Sequence, residues 1–518
     1  MSQLERPHWQ KAFWHPNQSR HITTRIVIEG DLILQSPAYF GSGDSDDLTD
    51  MPLLTALDDG KTPLLPGASV AGALRSYLRA RERGYLTAAP HRDQFESSAA
   101  FRTARQEEWD SVERQLFGGF GEQKDEASGD WQQLSEQSSL IVEDAYGRNH
   151  HIERRYGVKL DKATRTAEDQ KLFDTQLWSA GTTFPLRLEL VIRRDDPADL
   201  LKQALAAALN GLSDGSITLG GRKRRGYGEV QVKAWRVQVY NLLQKMDLLA
   251  YLENGDQPLQ TLGMAAVTDL HSALDVPTWT TDKRQFFTME ATFALDGSLL
   301  IRSEGLDNQV ADFVHLQARQ TNGELLPVLS GTSLTGALRA RARKIVNTVG
   351  DPDKGKALVY DLFGPDMDDE RIKTPRASRL IVGETIIKEG VADLVQNRVS
   401  LDRFTGGARD TALFSEQPVW GIPQTEVTIA LRLLNPTDAD IGLLLLLLKD
   451  LWTGDLPLGG ESSVGRGRLK GKGAVLTLGE MVWTIEDENG RLRFSGNGRQ
   501  RELQDTYLQA FLTEVGHD

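Results

Sequence analysis

The sequence predicts an α+β chain in which one βαββαβ unit occurs twice in tandem. Three observations predict it. First, Leu64-Leu65-Pro66-Gly67-Ala68-Ser69-Val70-Ala71-Gly72-Ala73-Leu74-Arg75 has a second copy, Leu326-Pro327-Val328-Leu329-Ser330-Gly331-Thr332-Ser333-Leu334-Thr335-Gly336-Ala337-Leu338-Arg339. Second, three more landmarks recur in the same order: Leu-Phe-Gly at Leu116 and Leu362, Leu-Asp-basic-x-Thr at Leu160 and Leu401, and a glycine loop at Gly220 and Gly459. The offset falls from 264 residues at Ser69/Ser333 to 246 at Leu116/Leu362, 241 at Asp161/Asp402 and 239 at Gly226/Gly465, which places an insertion in the first half. Third, apolar residues alternate in some runs and follow a helical period in others, and the two kinds of run interleave. A repeat of this length is a pair of domains, not a solenoid.

The elements follow in order. Residues 1–20 are a polar arm carrying Trp9, Phe13 and Trp14, aromatics suited to docking on the body of the chain or a neighbour. Residues 21–240 form the first domain. Ile22 to Gln35 alternates as a strand that Pro37 ends. A Gly/Asp loop, Gly41 to Pro52, leads to the helix, where Ser69 is placed as the cap. Val70, Leu74, Tyr77 and Leu78 make its apolar face, and Arg75, Arg79 and Arg83 a basic stripe. Residues 84–136 read as a polar surface insertion. Ser138 to Ala145 and Phe184 to Arg193 are strands around a hairpin at Gly157 to Ala167, and Pro197 to Leu212 is an amphipathic helix with proline in its first turn. The glycine loop then opens the last strand. Residues 241–283 are a linker with some helix. Residues 284–473 repeat the order, with Arg343 extending the second basic stripe, and 474–518 add strand and helix. This βαββαβ order is the split, ferredoxin-like arrangement that also underlies the RNA recognition motif.

Composition bounds the function. The 518 residues contain no cysteine, which excludes disulfides, thiolate nucleophiles and cysteine metal sites. The arm lacks the apolar core of a signal peptide, and the longest apolar run, Leu443 to Leu448, is too short to span a bilayer. A cytoplasmic protein with no membrane association is expected. The net charge of −13 argues against indiscriminate nucleic-acid binding but leaves room for a local basic groove.

Several residues could carry chemistry. Gly220-Gly221 and Gly226-Tyr227-Gly228 flank Arg222, Lys223, Arg224 and Arg225; backbone N–H groups beside cations suit a phosphate chain. No Gly-Lys-Ser/Thr closes the loop, so it is not a Walker loop. Turn geometry alone is the plainer reading of such a loop. The second loop, Gly459-Gly460-Glu461-Ser462-Ser463-Val464-Gly465, lacks the four cations but keeps Arg466. Asp50 lies 19 residues before Ser69 and Asp312 lies 21 before Ser333. A carboxylate there could hold a divalent cation or orient an RNA 2′-hydroxyl, or merely stabilise a turn. Asp44, Asp46 and Asp47 lack the glycine and terminal glutamate of an EF-hand. No His/Asp/Glu group has the spacing of a closed zinc site, and neither Ser69 nor Ser333 sits in a nucleophile elbow. His315 reads as an ordinary polar residue.

Gly67 to Arg75 and Gly331 to Arg339 resemble the Gly-Ser-Ser-hydrophobic-x-Gly-x-hydrophobic-Arg signature of RAMP proteins, and more specifically the backbone subunits of type III CRISPR effector complexes. The hairpins at Leu160-Asp161-Lys162 and Leu401-Asp402-Arg403 resemble the thumb of those subunits. Two fused domains resemble the tandem subunit of the type III-D variant. The resemblance implies a subunit that lines up along a CRISPR RNA beside other RAMP and large subunits. Ser69, Arg75, Arg79, Ser333, Arg339, Arg343 and the glycine loops would grip the RNA backbone, and the thumbs would kink the guide–target duplex. Asp50 in Thr-Asp-Met-Pro and Asp312 in Ala-Asp-Phe-Val would cleave complementary target RNA at two sites with a divalent cation, Mg2+ or Mn2+. The match at Asp312 lacks the proline. The alternatives are a non-catalytic RNA-binding scaffold and a guide-processing endonuclease, the latter disfavoured by the scarcity of histidine in the motif loops.

Overall fold

The computed structural model describes residues 21–42, 51–87, 97, 100, 103–104, 111–124, 131–161, 167–304, 311–365, 376–488 and 491–517. The arm, Asp50 and Lys162 therefore lie outside the described residues, as does most of residues 88–110.

In the first half β1 (Ile22–Leu34) precedes α1 (Gly67–Arg83) and the short α2 (Val112–Phe117). Then come β2 (Leu140–Val142), a hairpin of β3 (Ile152–Leu160) and β4 (Ala167–Trp178), β5 (Thr183–Arg193), α3 (Ala198–Ser213) and β6 (Val230–Asn241). The sheet order is β6-β1-β5-β2, with every neighbouring pair antiparallel. Alternation decides which face is core: Ile26, Ile28, Leu188 and Leu190 are fully buried beneath α1 and α3. Each such side chain contributes about 1.5–3 kcal/mol relative to exposure. Gly30 breaks the register of β1, and its missing Cβ makes room for the indole of Trp235. The opposite face is covered by the linker helix α4 (Lys245–Asn254) through a small cluster of Val27, Tyr240 and Leu259.

The second half follows the same order. β7 (Phe286–Asp296) and β8 (Phe313–His315) lead to α5 (Gly331–Val349) and α6 (Pro352–Phe363). After β9 (Leu380–Val382) come the hairpin of β10 (Gln396–Leu401) and β11 (Ala408–Gln417), β12 (Glu426–Leu434), α7 (Asp438–Trp452) and β13 (Arg468–Leu478). β7 lies between β12 and β13, as β1 lies between β5 and β6. The C-terminal residues enlarge this half. β14 (Met481–Glu488) and β15 (Arg491–Gly496) extend the sheet beyond β13. A last helical stretch packs Tyr507 and Phe511 against Gly442 of α7, where a Cβ would collide with the Tyr507 carbonyl.

One local expectation is corrected. Ser69 does not cap α1: the helix starts two residues earlier, its N-cap position is Pro66 with no side-chain bond, and Ser69 is exposed inside the first turn. The orphan N–H of Gly67 instead donates to the Asp144 carboxylate, 2.7 Å away, from the loop after β2. In the second half Ser330 is the cap and accepts from the Ser333 N–H, so Ser333 is likewise inside the helix. Helix N-termini leave N–H groups that need an acceptor, and either a local or a remote oxygen meets the need.

Candidate nucleic-acid interface

The two halves meet along a seam built from the first glycine loop. Lys223–Arg225 form a single 3-10 turn between Arg222 and Gly226, both left-handed in φ. Gly226 lies against the Gly383-Glu384 backbone of the second half, with no room for a Cβ. The Arg225 carbonyl touches Gly331, the first residue of α5, and the Tyr227 hydroxyl bonds Thr332. The seam is fastened by a buried ion pair. Arg155 of β3 is 5% exposed and reaches Glu384 at 3.1 Å and Glu153 at 3.0 Å. Burial disfavours the Arg155 charge, but the two carboxylates outweigh it and raise its pKa.

Along this seam runs a groove of about 2980 Å³ lined by both halves. Lys and Arg outnumber Asp and Glu in its walls more than twofold, against the sign of the whole chain. It collects Arg79, Arg222, Lys223, Arg224, Arg225, Ser333, Arg339, Arg343, Gly459 and Gly460 from the expected set. Arg224 and Arg225 are half-buried, and among the described residues neither has a carboxylate within ion-pair distance. Burial lowers the pKa of both, with the Arg222 charge adding to the effect on Arg225; Lys223 is lowered in the same way, with Arg224 adding. Cations held together without counter-charges are costly unless an anion completes the site. Arg222 stacks 5.0 Å from the Phe173 ring of β4, which ties the loop to the first hairpin.

Other expected residues are placed differently. Arg75 pairs with Glu113 of α2, itself 3% exposed, and is absent from the groove walls. Arg339 donates to the Gly364 carbonyl at 2.7 Å at the end of α6. Arg339 thus holds its helix to the Leu-Phe-Gly turn, whereas Arg75 holds its helix to the start of the short helix that ends in Leu-Phe-Gly. Gly220 and Gly459 have positive φ and press on the Tyr39 and Leu300 carbonyls, while Gly221 and Gly460 donate their N–H groups to those same oxygens at 2.8 Å. In both loops the glycine pair lets the backbone pack closely, and the N–H groups of Gly221 and Gly460 are taken up within the chain. Arg466, expected to contact RNA, is 3% exposed. It lies 3.1 Å from Glu416 and 2.9 Å from Glu461, with Arg302 and Arg398 completing the cluster. Burial and the adjoining Glu461 raise the Glu416 carboxyl.

The hairpin tips carry exposed apolar side chains. Leu160 is 53% exposed, Leu401 62% and Phe404 99%. Asp402 accepts from the N–H groups of Phe404 and Thr405, both at 2.9 Å, so its carboxylate shapes the tip. Arg403 is exposed beside it, and Asp161 lines the groove. Sequence reasoning missed Phe404, although its place between two charged or polar neighbours at a turn was the available signal.

Asp312 is exposed at the start of β8 and pinned to the second hairpin: its Oδ2 accepts from the Ser415 N–H at 2.7 Å and from the Ser415 hydroxyl at 3.0 Å. His315, three residues on, is 3% exposed, and its Nε2 and Nδ1 lie 3.0 and 3.1 Å from the Val328 and Leu299 carbonyls. Burial lowers its pKa to about 4 despite those carbonyls. It is a neutral structural residue. Its first-half counterpart is Leu53: the next residues, Leu54 and Leu316, donate to the Phe40 and Ile301 carbonyls in the same way. Asp50 and Asp312 each precede this pair by three positions. No group of three or more His, Cys, Asp or Glu able to hold a metal ion occurs among the described residues. Asp312 alone does not amount to a protein cage for a cation.

Among curated proteins, none matches the chain. No helix among the described residues is long and apolar enough to cross a membrane. The family model of the RAMP superfamily matches residues 31–231 and again 286–470, one match per half and together well over half the chain, so the protein belongs to the RAMP superfamily.

Proposed function

We propose that the chain is a CRISPR RNA-binding backbone subunit of a type III interference complex, in the fused two-domain form of the type III-D variant. It works in the cytoplasm beside other RAMP and large subunits. The observation that carries this reading is the set of cations at the seam: Arg224 and Arg225 are half-buried without carboxylate partners, beside the exposed Lys223, in a groove shared by both halves. A phosphate backbone is the anion of that length and chemistry. The apolar hairpin tips at Leu160 and Phe404 would press between bases of the guide–target duplex while the seam holds the strand.

Cleavage of target RNA at two sites belongs to the same proposal. Asp50 and Asp312 occupy matching positions, three residues before Leu53 and His315. The carboxylate would accept hydrogen bonding from a target 2′-hydroxyl and take its proton as the oxygen attacks the adjacent phosphorus, releasing the 5′-oxygen of the next nucleotide. The Mg2+ or Mn2+ of the proposal would have to complete its coordination with RNA oxygens, since the described residues offer one carboxylate.

A second reading, a non-catalytic scaffold, is favoured by the engagement of Asp312 with Ser415. One experiment separates them: guide-loaded complex on end-labelled complementary RNA, wild type against Asp50→Ala and Asp312→Ala. The expected result is loss of one product band per variant with guide binding intact, and no cleavage in chelator. An unchanged ladder in the double variant leaves the scaffold. In the same preparation, alanine at 222–225 should flatten the salt dependence of guide affinity by about 0.7 log units per lost phosphate contact.

A further inference from the structure

The second hairpin has two faces. Side chains directly opposite each other in an antiparallel pair share a face. Arg398 with Phe414, and Gln396 with Glu416, face inward. There Arg398 and Glu416 join the cluster around Glu461, and Gln396 accepts from Arg466 at 2.8 Å. Asn397 with Ser415, and Val399 with Leu413, face outward. Val399 is 44% exposed and Leu413 71%. Asp312 belongs to the outward face. β8 runs parallel to β11 on the side away from β10. The Ser415 N–H and hydroxyl both donate to Asp312 Oδ2, and the Asp312 N–H donates back to the Ser415 oxygen at 3.0 Å. This clasp takes one carboxylate oxygen; among the described residues Oδ1 has no hydrogen-bond partner. On the other side of Ser415 stands Asn397, exposed, and among the described residues its side chain makes no hydrogen bond. Asp312 and Asn397 therefore lie two strand spacings apart, about 10 Å, flanking the Ser415 rung.

Resting on the proposal that Asp312 cleaves RNA, we infer that Asn397 is the hydrogen-bond donor to the scissile phosphate at this site, with Ser415 positioning Asp312. In the step, the target 2′-hydroxyl gives its proton to Asp312 Oδ1 and its oxygen forms the new bond to phosphorus. The bond to the 5′-oxygen breaks, and that oxygen takes a proton from water. Asn397 transfers no proton. Its amide N–H meets the non-bridging oxygen on which negative charge grows. The neighbouring cations are otherwise engaged: Arg302, Arg398 and Arg466 all pair with Glu416. A neutral amide serves here because it does not lower the basicity of Asp312, as an arginine beside it would. In the first hairpin the same rung holds Tyr156 and Asp174, and Arg154 lies 3.5 Å from that carboxylate. The amide donor is therefore a property of the second half.

The test is single-turnover cleavage of end-labelled complementary RNA by the guide-loaded complex. Asn397→Ala should slow the Asp312-dependent cut about 10²–10³-fold, and leave the other cut and the affinity for RNA unchanged. Sulfur in place of one non-bridging oxygen at that cut, in one stereoisomer, should slow the wild type and make no further difference to Asn397→Ala. Ser415→Ala should slow the same cut, and Ser415→Thr, which keeps the hydroxyl, should restore it. A wild-type rate in Asn397→Ala overturns the inference. So does a slowed cut that keeps its full sensitivity to sulfur, which makes the residue structural. Asp312→Ala separates two failures. If it removes the cut and Asn397→Ala does not, only the role of Asn397 is lost; if it leaves the ladder unchanged, the cleavage reading is lost with it.

Discussion

The two glycine loops descend from one pattern and do opposite things. The first, Arg222 to Arg225, is wedged into the seam, with Gly226 against the second half and its cations short of counter-charge. The second, Glu461 to Val464, turns inward: Glu461 joins Arg302, Arg398 and Arg466 at the base of its own hairpin, and Gly465 faces open space. The hairpins differ accordingly. The first is fastened across the seam by Arg155 and Glu384, the second within its own half by Glu416. One half thus ties itself to its neighbour and leaves its loop cations without counter-charge, and the other neutralises its own cations.

The largest effect should come from breaking the cross-seam fastening. Arg155→Ala leaves Glu384 and Glu153 buried without a cation, which costs about 3–5 kcal/mol. Denaturant unfolding should register this, and the two halves should then unfold in separate steps. Arg466→Ala should cost a comparable amount but leave amide protection at Gly226 and Thr332 unchanged. Equal loss of seam protection in both variants would erase the contrast between the hairpins.

Next is a pH effect confined to the second half. His315 has a folded pKa near 4 against an ordinary value of 6.5. The native chain keeps it neutral, while the unfolded chain takes up a proton below 6.5. Its stabilising contribution is therefore complete above pH 6.5 and lost as pH falls toward 4, a swing of up to about 3 kcal/mol. The counterpart Leu53 cannot titrate. His315→Leu should flatten the stability–pH curve over that window, at the cost of the bonds to Val328 and Ile301.

Phe404 comes third. Its ring is fully exposed, so Phe404→Ala should leave the unfolding midpoint in place. In RNA binding it should cost about 1–3 kcal/mol if the ring stacks on a base. Leu160→Ala at the other tip should cost less. The reverse ranking would make the first hairpin the principal wedge.

How far these contrasts can be read in the sequence depends on their range. The paired stretches at Ser69 and Ser333, the alternation of Ile26 and Ile28, and the helix Asp438 to Trp452 are local patterns, and each element lies where its pattern puts it. The role of the signature arginines is not local. Arg75 finds Glu113 within the stretch that reads as an insertion, and Arg339 finds Gly364, so a stripe that reads as a solvated basic face is partly spent inside the fold. Arg155 and Glu384 are 229 residues apart, and no spacing rule connects them. Four adjacent cations at 222–225 were legible as a candidate anion site; that the loop also forms the seam was not, because its partner lies in the other copy.

The smallest predicted effect bears on the stretch that defines the repeat. In the second half the cap is local, and Ser330→Ala should cost about 1 kcal/mol, since its oxygen accepts from the Ser333 N–H. In the first half the cap is remote. Ser69→Ala should be neutral in thermal unfolding, because Ser69 caps nothing, whereas Asp144→Ala should cost about as much as Ser330→Ala by stranding the Gly67 N–H. Asp144 holds the position that Glu384 holds in the second copy, two residues past the paired strands Leu140–Val142 and Leu380–Val382. One carboxylate position thus caps its own helix in the first half and crosses the seam to Arg155 in the second. Ser330 is what frees Glu384 for that pair: with a local cap in place, the carboxylate is available to reach the other domain. The double variant Ser330→Ala/Glu384→Asp tests this directly, since the shorter carboxylate should take over the vacated cap and weaken the seam at once. A seam protected as well as in Ser330→Ala alone would separate the two roles.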